Sequence, residues 1–247
     1  MKTICLHLQK GGVGKTSISG SLACELTKRG KTILIDVDPQ GNSSSWFLTE
    51  SPKHELAEVL QGKIELDQAI VKTGELDLIP TFGLDGELKL YGESKLADEP
   101  FIFCDLVEEL EKLGYDFVVL DLSPGIGRLE KSAILSADEV ITPLTPDTFS
   151  LDGLEIFAHE LKKLLKSFRK SVRHNKLIIN AYDARIKQHQ EILEQAKKTA
   201  GYDKFIIPVD PAFRKAQSAH LPIQDLKGSE MAKNETLTAI KKLAEVI

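Results

Sequence analysis

Short apolar runs rich in Val, Ile and Leu alternate with longer stretches of helical periodicity along most of this chain. Nearly continuous apolar runs are typical of strands that are buried on both faces of a parallel sheet. We therefore predict an α/β fold in which a predominantly parallel, twisted sheet carries helices on both faces. A predicted helix, Thr16–Arg29, separates the first two strands. The predicted strands are Thr3–Leu8, Thr32–Asp36, Tyr115–Asp121, Glu139–Thr142, Lys176–Ala181 and Phe205–Pro208.

Size and composition fit one folded unit. The 247 residues are 42% hydrophobic and 28% charged, so we expect a single domain over residues 1–247. Apolar runs such as Phe117–Leu120 are too short to cross a membrane, and no signal-peptide core follows Met1. Three widely separated cysteines favour a reducing, cytoplasmic location. Residues 43–100, interrupted by prolines and glycines, give no clear element.

The net charge of −5 is unevenly distributed. Residues 1–150 hold 14 Lys and Arg against 25 Asp and Glu, whereas residues 151–247 hold 18 against 12. The second part is therefore basic, and its individual cations are candidates for contacts with phosphates. The overall acidity argues against a histone-like coat on DNA, although binding needs only a local positive patch.

A glycine-rich segment follows the first predicted strand directly and leads into the first predicted helix. Its sequence is Q-K-G-G-V-G-K-T-S, from Gln9 to Ser17. Glycines allow backbone N–H groups to face a phosphate, and the helix N-terminus adds its positive dipole end. In such a P-loop, Lys15 reaches the β- and γ-phosphates and the Thr16 hydroxyl binds Mg²⁺. The predicted phosphate-binding residues are Gly11, Gly12, Val13, Gly14, Lys15, Thr16 and Ser17.

Two later strands end in acidic residues. The second predicted strand continues as I-L-I-D-V-D-P-Q-G-N and places Asp36 and Asp38 two positions apart, a spacing that points both to one side of a strand. The run Y-D-F-V-V-L-D-L-S-P ends in Asp121. Acids at the carboxyl ends of parallel strands lie where ligands bind in such sheets.

These motifs resemble the ParA/Soj-like ATPases with a deviant Walker A loop, within the ParA/MinD superfamily of P-loop NTPases. The glycine pattern is that of the deviant loop, because the glycines fall at 11 and 12 behind Lys10. The resemblance implies ATP and Mg²⁺ as cofactors, with Asp121 and Asp36 near the metal beside Thr16. It also implies that Asp38 activates the attacking water. Lys15 and Lys10 complete the catalytic set, and Lys10 contacts the phosphates bound by the other subunit of an ATP-dependent dimer.

The resemblance continues through A-D-E-V-I-T-P-L-T-P-D-T-F-S-L-D-G-L, N-A-Y-D-A-R and I-I-P-V-D, and so covers nearly the whole chain. It implies contacts to the adenine base from Asn180, Pro208 and Asp210. It also places Arg185 where such proteins contact nucleoid DNA. Together with Lys187, Arg214 and Lys215, this arginine is predicted to form a sequence-independent phosphate-binding strip on the ATP-bound dimer. A second group of cations, including Lys162, Lys166, Arg169, Arg173 and Lys176, is predicted to lie mostly on one long helix as a solvated face.

The chain departs from the family pattern at several positions. Ser123 stands where the first of two prolines is usual, and Leu8 stands where an Asn is usual. Val209 and Ala212 replace two arginines. These departures bear on the loop after Asp121 and on the base and DNA contacts.

Three functions remain open at this point. The first is a partition ATPase: an ATP-bound homodimer that binds double-stranded DNA on the nucleoid and is released when a ParB-like centromere-binding protein stimulates hydrolysis. The second is a MinD-like ATPase that positions itself on a membrane surface, or one that positions protein clusters. The segment Asn234–Ile247 argues against the membrane, because it has few cations and no Phe or Trp and is predicted to pack on the core. The third is a metabolic enzyme on the same scaffold, such as a nitrogenase iron protein or a carboxylase-like synthetase. An iron-sulfur cluster between subunits would need two suitably placed cysteines, which Cys104 alone does not supply.

Overall fold

One eight-stranded sheet organises the chain. The computed structural model describes residues 1–94, 96 and 99–247. The strands are β1 Lys2–Leu6, β2 Thr32–Asp36, β3 Val71–Thr73, β4 Leu76–Ile79, β5 Phe117–Asp121, β6 Glu139–Leu144, β7 Arg173–Tyr182 and β8 Asp203–Pro208. Their order across the sheet is β3-β4-β2-β5-β1-β6-β7-β8. Neighbouring strands pair in parallel except β3 and β4, which pair antiparallel. The predicted, mainly parallel sheet is confirmed.

Helices cover both faces of this sheet. Their bounds are α1 Lys15–Leu26, α2 Asn42–Phe47, α3 Leu56–Leu60, α4 Leu88–Ser94, α5 Ile102–Lys112, α6 Arg128–Ser136, α7 Ser150–Phe168, α8 Lys187–Lys198, α9 Ala212–Ser218 and α10 Asn234–Glu245. Adjacent strand residues point to opposite faces, so Ile4 and Leu34 pack with α1 and α10 on one face. Cys5 and Ile33 pack with α5, α6 and α7 on the other.

The parallel register brings the acidic strand ends together. Asp36 at the end of β2 lies opposite Asp121 at the end of β5. Leu6, the last residue of the adjacent β1, also lies opposite Asp121. The glycine-rich loop leaves β1 at this same edge, so the sheet places the loop and both carboxylates at one site.

The structure fills one stretch left without a prediction and corrects one prediction. Residues 43–100, which gave no clear element, contain the short strands β3 and β4, the helices α3 and α4, and most of α2. The basic segment is not one helix to Arg173, because α7 ends at Phe168 and Arg169 takes a left-handed conformation with φ of 53°. Arg173 and Lys176 lie on β7 instead, and Lys176 is buried in an ion pair with Glu139.

The C-terminal segment is the predicted helix packed on the core. Within α10, Ile240 and Leu243 are buried in the cluster that also contains Leu22 of α1. Within the described residues, no helix combines the length and apolar character that crossing a lipid bilayer requires.

Candidate functional site: a phosphate-binding loop at the sheet edge

The loop between β1 and α1 has the backbone of an anion site. Gly12 and Gly14 adopt φ angles of 75° and 91°, a region in which a side chain would be strained. Gly14 is also confined sterically, because a Cβ atom there would lie 2.2 Å from Nδ2 of Asn180. The loop then enters α1 at Lys15, so the free N–H groups of the first helical turn face the loop.

Lys15 extends into this loop. Its Nζ donates hydrogen bonds to the carbonyl oxygens of Lys10, at 2.8 Å, and Leu8, at 3.4 Å. The side chain is buried, and burial lowers the pKa of its ammonium although the nearby Asp121 and Asp38 carboxylates oppose that change. A buried cation at the start of α1, held by two loop carbonyls, is suited to binding a phosphate anion.

Asp121 is fully buried at the end of β5 and is held by hydroxyl groups. It accepts hydrogen bonds from Oγ of Ser43 at 2.6 Å and Oγ of Ser19 at 3.1 Å, and the Thr16 side chain also donates to it. Burial raises the pKa of this carboxyl above its usual value, and these hydrogen bonds offset only part of that rise. Thr16 and Asp121, both predicted as metal residues, therefore lie side by side. Ser43 was not predicted, although it follows the D-P-Q-G-N motif directly.

Asp36 and Asp38 have different surroundings. Asp36 is fully buried, and its Oδ2 accepts hydrogen bonds of 2.7 Å from both the backbone N and Oγ of Ser44. Burial and the charge of Asp121 raise the pKa of the Asp36 carboxyl. Asp38 lies beyond the end of β2, and its Oδ1 accepts from the Gln40 backbone. The carboxylate of Asp36 thus anchors the start of α2, whereas Asp38 belongs to the loop beyond the strand.

Lys10 is held within its own chain. Its Nζ contacts Asp147 and Ser150 at the start of α7. Neither partner was predicted from the sequence, since Asp147 is 137 positions away from Lys10.

The three residues predicted to contact the base have different surroundings. Asn180 lies against the loop, where its Nδ2 donates to the Val13 carbonyl at 2.9 Å. Asp210 is engaged elsewhere, because its carboxylate accepts hydrogen bonds from Thr236 Oγ1 and from the backbone N of Lys233 and of Ala212. Pro208 ends β8 and is partly buried.

Gln217 is a further site residue that sequence reasoning did not find. Its Nε2 donates to Oγ of Ser17 in the first turn of α1, at 3.2 Å, although the two residues are 200 positions apart. Gln217 lies in α9 outside any motif, so the sequence held no signal for it.

The predicted DNA residues follow the ends of two adjacent strands, β7 and β8. Arg185 is highly exposed and pairs with Asp183 through two hydrogen bonds of 2.9 and 2.6 Å. Lys187 lies 3.7 Å from Glu191 in α8. Arg214 and Lys215 lie on α9. A hydrogen bond from the Val209 backbone N to the Tyr182 carbonyl joins the two strand ends.

Here a strand leads into a glycine-rich turn with an inward-facing lysine, and the next helix brings its threonine to a strand-end aspartate. This arrangement defines a P-loop nucleotide-binding protein. Comparison with known proteins agrees with this class. Residues 1–174 match the family model AAA_31, described as an AAA domain. The chain is 31% identical to the chromosome-partitioning ATPase Soj of Treponema pallidum over 228 residues, covering 90% of this chain and 88% of that protein. It is 41% identical to the protein BBD21 of Borreliella burgdorferi over 219 residues, covering 88% and 89% of the two chains.

A solved structure extends the similarity to the whole chain. The Borrelia burgdorferi B31 protein BB_S35, bound to AMPPNP, superposes with a TM-score of 0.81 at 25% identity, covering 100% of this chain and 99% of that one. The chain belongs to the ParA/MinD superfamily of P-loop ATPases.

Proposed function

We propose that this protein is a Mg²⁺-dependent partition ATPase, whose ATP-bound homodimer binds DNA without sequence preference and is released by hydrolysis. The observation that carries the proposal is the arrangement of two lysines at one loop. Lys15 is buried inside the loop, whereas Lys10 extends from the same loop to its edge and is about one-third exposed. One lysine is placed to bind the phosphates of its own subunit, and the other is accessible to a second subunit.

The donor set fits a magnesium nucleotide. Mg²⁺ prefers hard oxygen ligands and binds through a few protein groups together with phosphates and water. The Thr16 hydroxyl and the Asp121 carboxylate supply such oxygens side by side. When bound, Mg²⁺ would neutralise charge on the β- and γ-phosphates. Asp36 would support this site indirectly, since Ser44 occupies its Oδ2.

Asp38 is the residue proposed to orient the attacking water. It is mostly buried beyond the end of β2, and its charge acts on the Lys15 ammonium. A carboxylate close to the lysine that binds the phosphates is suited to accepting a hydrogen bond from water near the γ-phosphate.

ATP binding would favour the dimer through Lys10. Two bound Mg-ATP clusters facing each other repel, and a lysine contributed by each subunit to the other offsets that repulsion. Hydrolysis removes the γ-phosphate contacts, so the dimer separates. A ParB-like partner that stimulates this step, and a nucleoid location in the cytoplasm, follow from the partition function.

DNA binding is assigned to the two segments that follow β7 and β8. Arg185, Lys187, Arg214 and Lys215 place cations at these adjacent strand ends. A dimer doubles the number of these cations, which makes binding to a polyanion depend on ATP.

The proposal is tested by measuring oligomeric state and DNA retention with ATP, with ADP and without nucleotide. Sedimentation velocity should show a dimer only with ATP and Mg²⁺, and fluorescently labelled duplexes of unrelated sequence should be retained under that condition only. A dimer without nucleotide, or DNA binding that is equal in all three conditions, would contradict the proposal.

A further inference from the structure

The loop between β5 and α6 is held by one serine hydroxyl. Ser123 Oγ donates to Oε1 of Glu130 at 2.5 Å and accepts a hydrogen bond from the backbone N of Gly125 at 3.1 Å. Ser123 occupies the position where the family resemblance leads one to expect proline. A hydrogen-bonded serine therefore restrains a turn that a proline ring would otherwise restrain.

Glu130 is buried beneath this loop, in the first turn of α6. Two glycines pass close to its carboxylate: a Cβ atom would lie 3.0 Å from Oε2 at Gly127 and 3.6 Å from Oε1 at Gly125. A buried carboxylate is costly unless it accepts hydrogen bonds. Ser123 and Glu130 are therefore mutually dependent, because removing one leaves the other without this partner.

The restrained loop follows Asp121 and shares a cavity with the segment that carries Asp38. It begins two residues after Asp121. Gly125, Gly127 and Glu130 line a cavity of about 380 Å³ together with Pro39, the residue after Asp38. On the other side, the Ser123 backbone lies beside the buried ring of His7, which precedes the phosphate loop. A shift of this loop would reshape the cavity lined by Pro39, the neighbour of Asp38 in the sequence.

We propose that Ser123 and Glu130 are positioning residues for ATP hydrolysis, which fix the loop after Asp121 across a shared cavity from the segment that carries Asp38. This inference rests on the proposed ATPase function and adds to it a pair that sets the rate of the chemical step. Neither residue belongs to the phosphate loop or to the predicted metal and base contacts, so we expect nucleotide affinity to change little when either is replaced.

The test is a double-mutant cycle on the full-length chain. Ser123→Ala and Glu130→Leu each remove the hydrogen bond, whereas Ser123→Thr and Glu130→Gln retain a donor and an acceptor. We expect each of the first two variants to lower the single-turnover rate constant with Mg-ATP about tenfold, the effect of one hydrogen bond to a charged group. The double variant should be no slower than either, because both changes remove one interaction. Thr and Gln should keep most of the wild-type rate.

Nucleotide affinity separates positioning from binding. The dissociation constant for a non-hydrolysable ATP analogue should stay within about twofold of wild type in all variants. A twofold change in this constant corresponds to only a small change in binding free energy. Ser136→Ala is the matched control. This variant removes a hydroxyl at the end of α6, away from the Ser123 loop, which donates to the Ala133 carbonyl. It should not change the rate.

Three outcomes would overturn the inference. They are an unchanged rate in Ser123→Ala, an additive loss in the double variant, and a rate loss that accompanies loss of folded structure by circular dichroism. A wild-type protein that hydrolyses no ATP would instead overturn the proposed function, so the two failures are distinguishable.

Discussion

Lys10 Nζ lies 2.5 Å from Oδ2 of Asp147 in the same chain, and 3.1 Å from Oγ of Ser150. Asp147 is fixed by further hydrogen bonds from the Thr145 hydroxyl and the Phe149 backbone. Slight burial raises the pKa of the Asp147 carboxyl, but hydrogen bonds from Lys10, Thr145 and Ser150 outweigh it and lower the pKa. Asp147 is thus ionised at neutral pH and holds Lys10 by an ion pair. Because both side chains are over 30% exposed, the pair is weak enough to exchange.

Asp147 and the phosphates of a second subunit would compete for Lys10. We predict that Asp147→Asn weakens the intrachain pair and strengthens ATP-dependent dimerisation by up to about fivefold per subunit, the range of a partly exposed ion pair. Lys10→Ala should bind nucleotide but not dimerise. Sedimentation equilibrium with ATP on an Asp38→Ala background measures both. Asp152→Asn, at an exposed position in the first turn of α7, is the control and should behave like the parent; a weaker dimer in Asp147→Asn would exclude competition.

Nucleotide binding and hydrolysis should separate between Lys15 and Asp38. Lys15 is buried within the phosphate loop, so Lys15→Ala should abolish ATP binding. Asp38 lies beyond β2, so Asp38→Ala should bind ATP with near-normal affinity and lower turnover by about 100-fold or more, as expected for loss of a general base. Calorimetry with an ATP analogue and a phosphate-release assay measure the two effects. If Asp38→Ala bound no nucleotide or hydrolysed ATP normally, its assignment would be wrong.

The sequence predicted the parts of the site that belong to short contiguous motifs. It could not predict contacts between residues that are far apart in the chain. The glycine loop and Asp121 could be predicted because each belongs to a contiguous motif whose strand and helix pattern is local. Asp147 and Gln217 could not be predicted, because folding alone brings them to Lys10 and Ser17 from 137 and 200 positions away.

The same distinction explains the errors in the fold. Strands β3 and β4 are three and four residues long, too short to give a periodic signal, and they form through pairing at the sheet edge. The basic segment after α7 kept helical periodicity in its sequence. There, a single left-handed residue, Arg169, ended the helix and redirected the chain into β7.

Stability should depend on pH through His7. This histidine is fully buried, and burial, with the nearby Lys15 charge, lowers its pKa from 6.5 to about 3. The unfolded chain therefore binds more protons below pH 6.5, so the contribution of His7 is present above pH 6.5 and is lost as pH falls toward 3. At pH 5 the loss is roughly 2 kcal/mol, at about 1.4 kcal/mol per pKa unit.

The measurement compares urea unfolding of wild type and His7→Leu at pH 8 and pH 5. From pH 8 to pH 5, the free energy of unfolding of the wild type should fall by roughly 2 kcal/mol more than that of His7→Leu. This comparison is needed because the raised pKa values of Asp36 and Asp121 act in the opposite direction. His159→Leu, at an exposed position of α7, is the control. Equal pH dependence in wild type and His7→Leu would show that His7 is accessible to protons in the folded protein.

Arg185 offers the sharpest test of the proposed DNA surface because the structure shows its ion-pair partner, Asp183. Its guanidinium bonds both oxygens of Asp183, and these hydrogen bonds lower the pKa of Asp183, which stays ionised. Each phosphate neutralised contributes about 0.9 to the slope of log affinity against log salt. Losing Arg185 from both subunits should therefore flatten that slope by up to about two units. Asp183→Asn should strengthen binding, because it removes an acid that competes with phosphate for Arg185.

The experiment is a salt titration of the ATP-bound protein on duplexes of unrelated sequence, with Lys112→Ala on α5 as the control for loss of a cation elsewhere. Equal slopes in wild type and Arg185→Ala would remove Arg185 from the DNA surface, and tight binding by the nucleotide-free monomer would show that ATP does not control it.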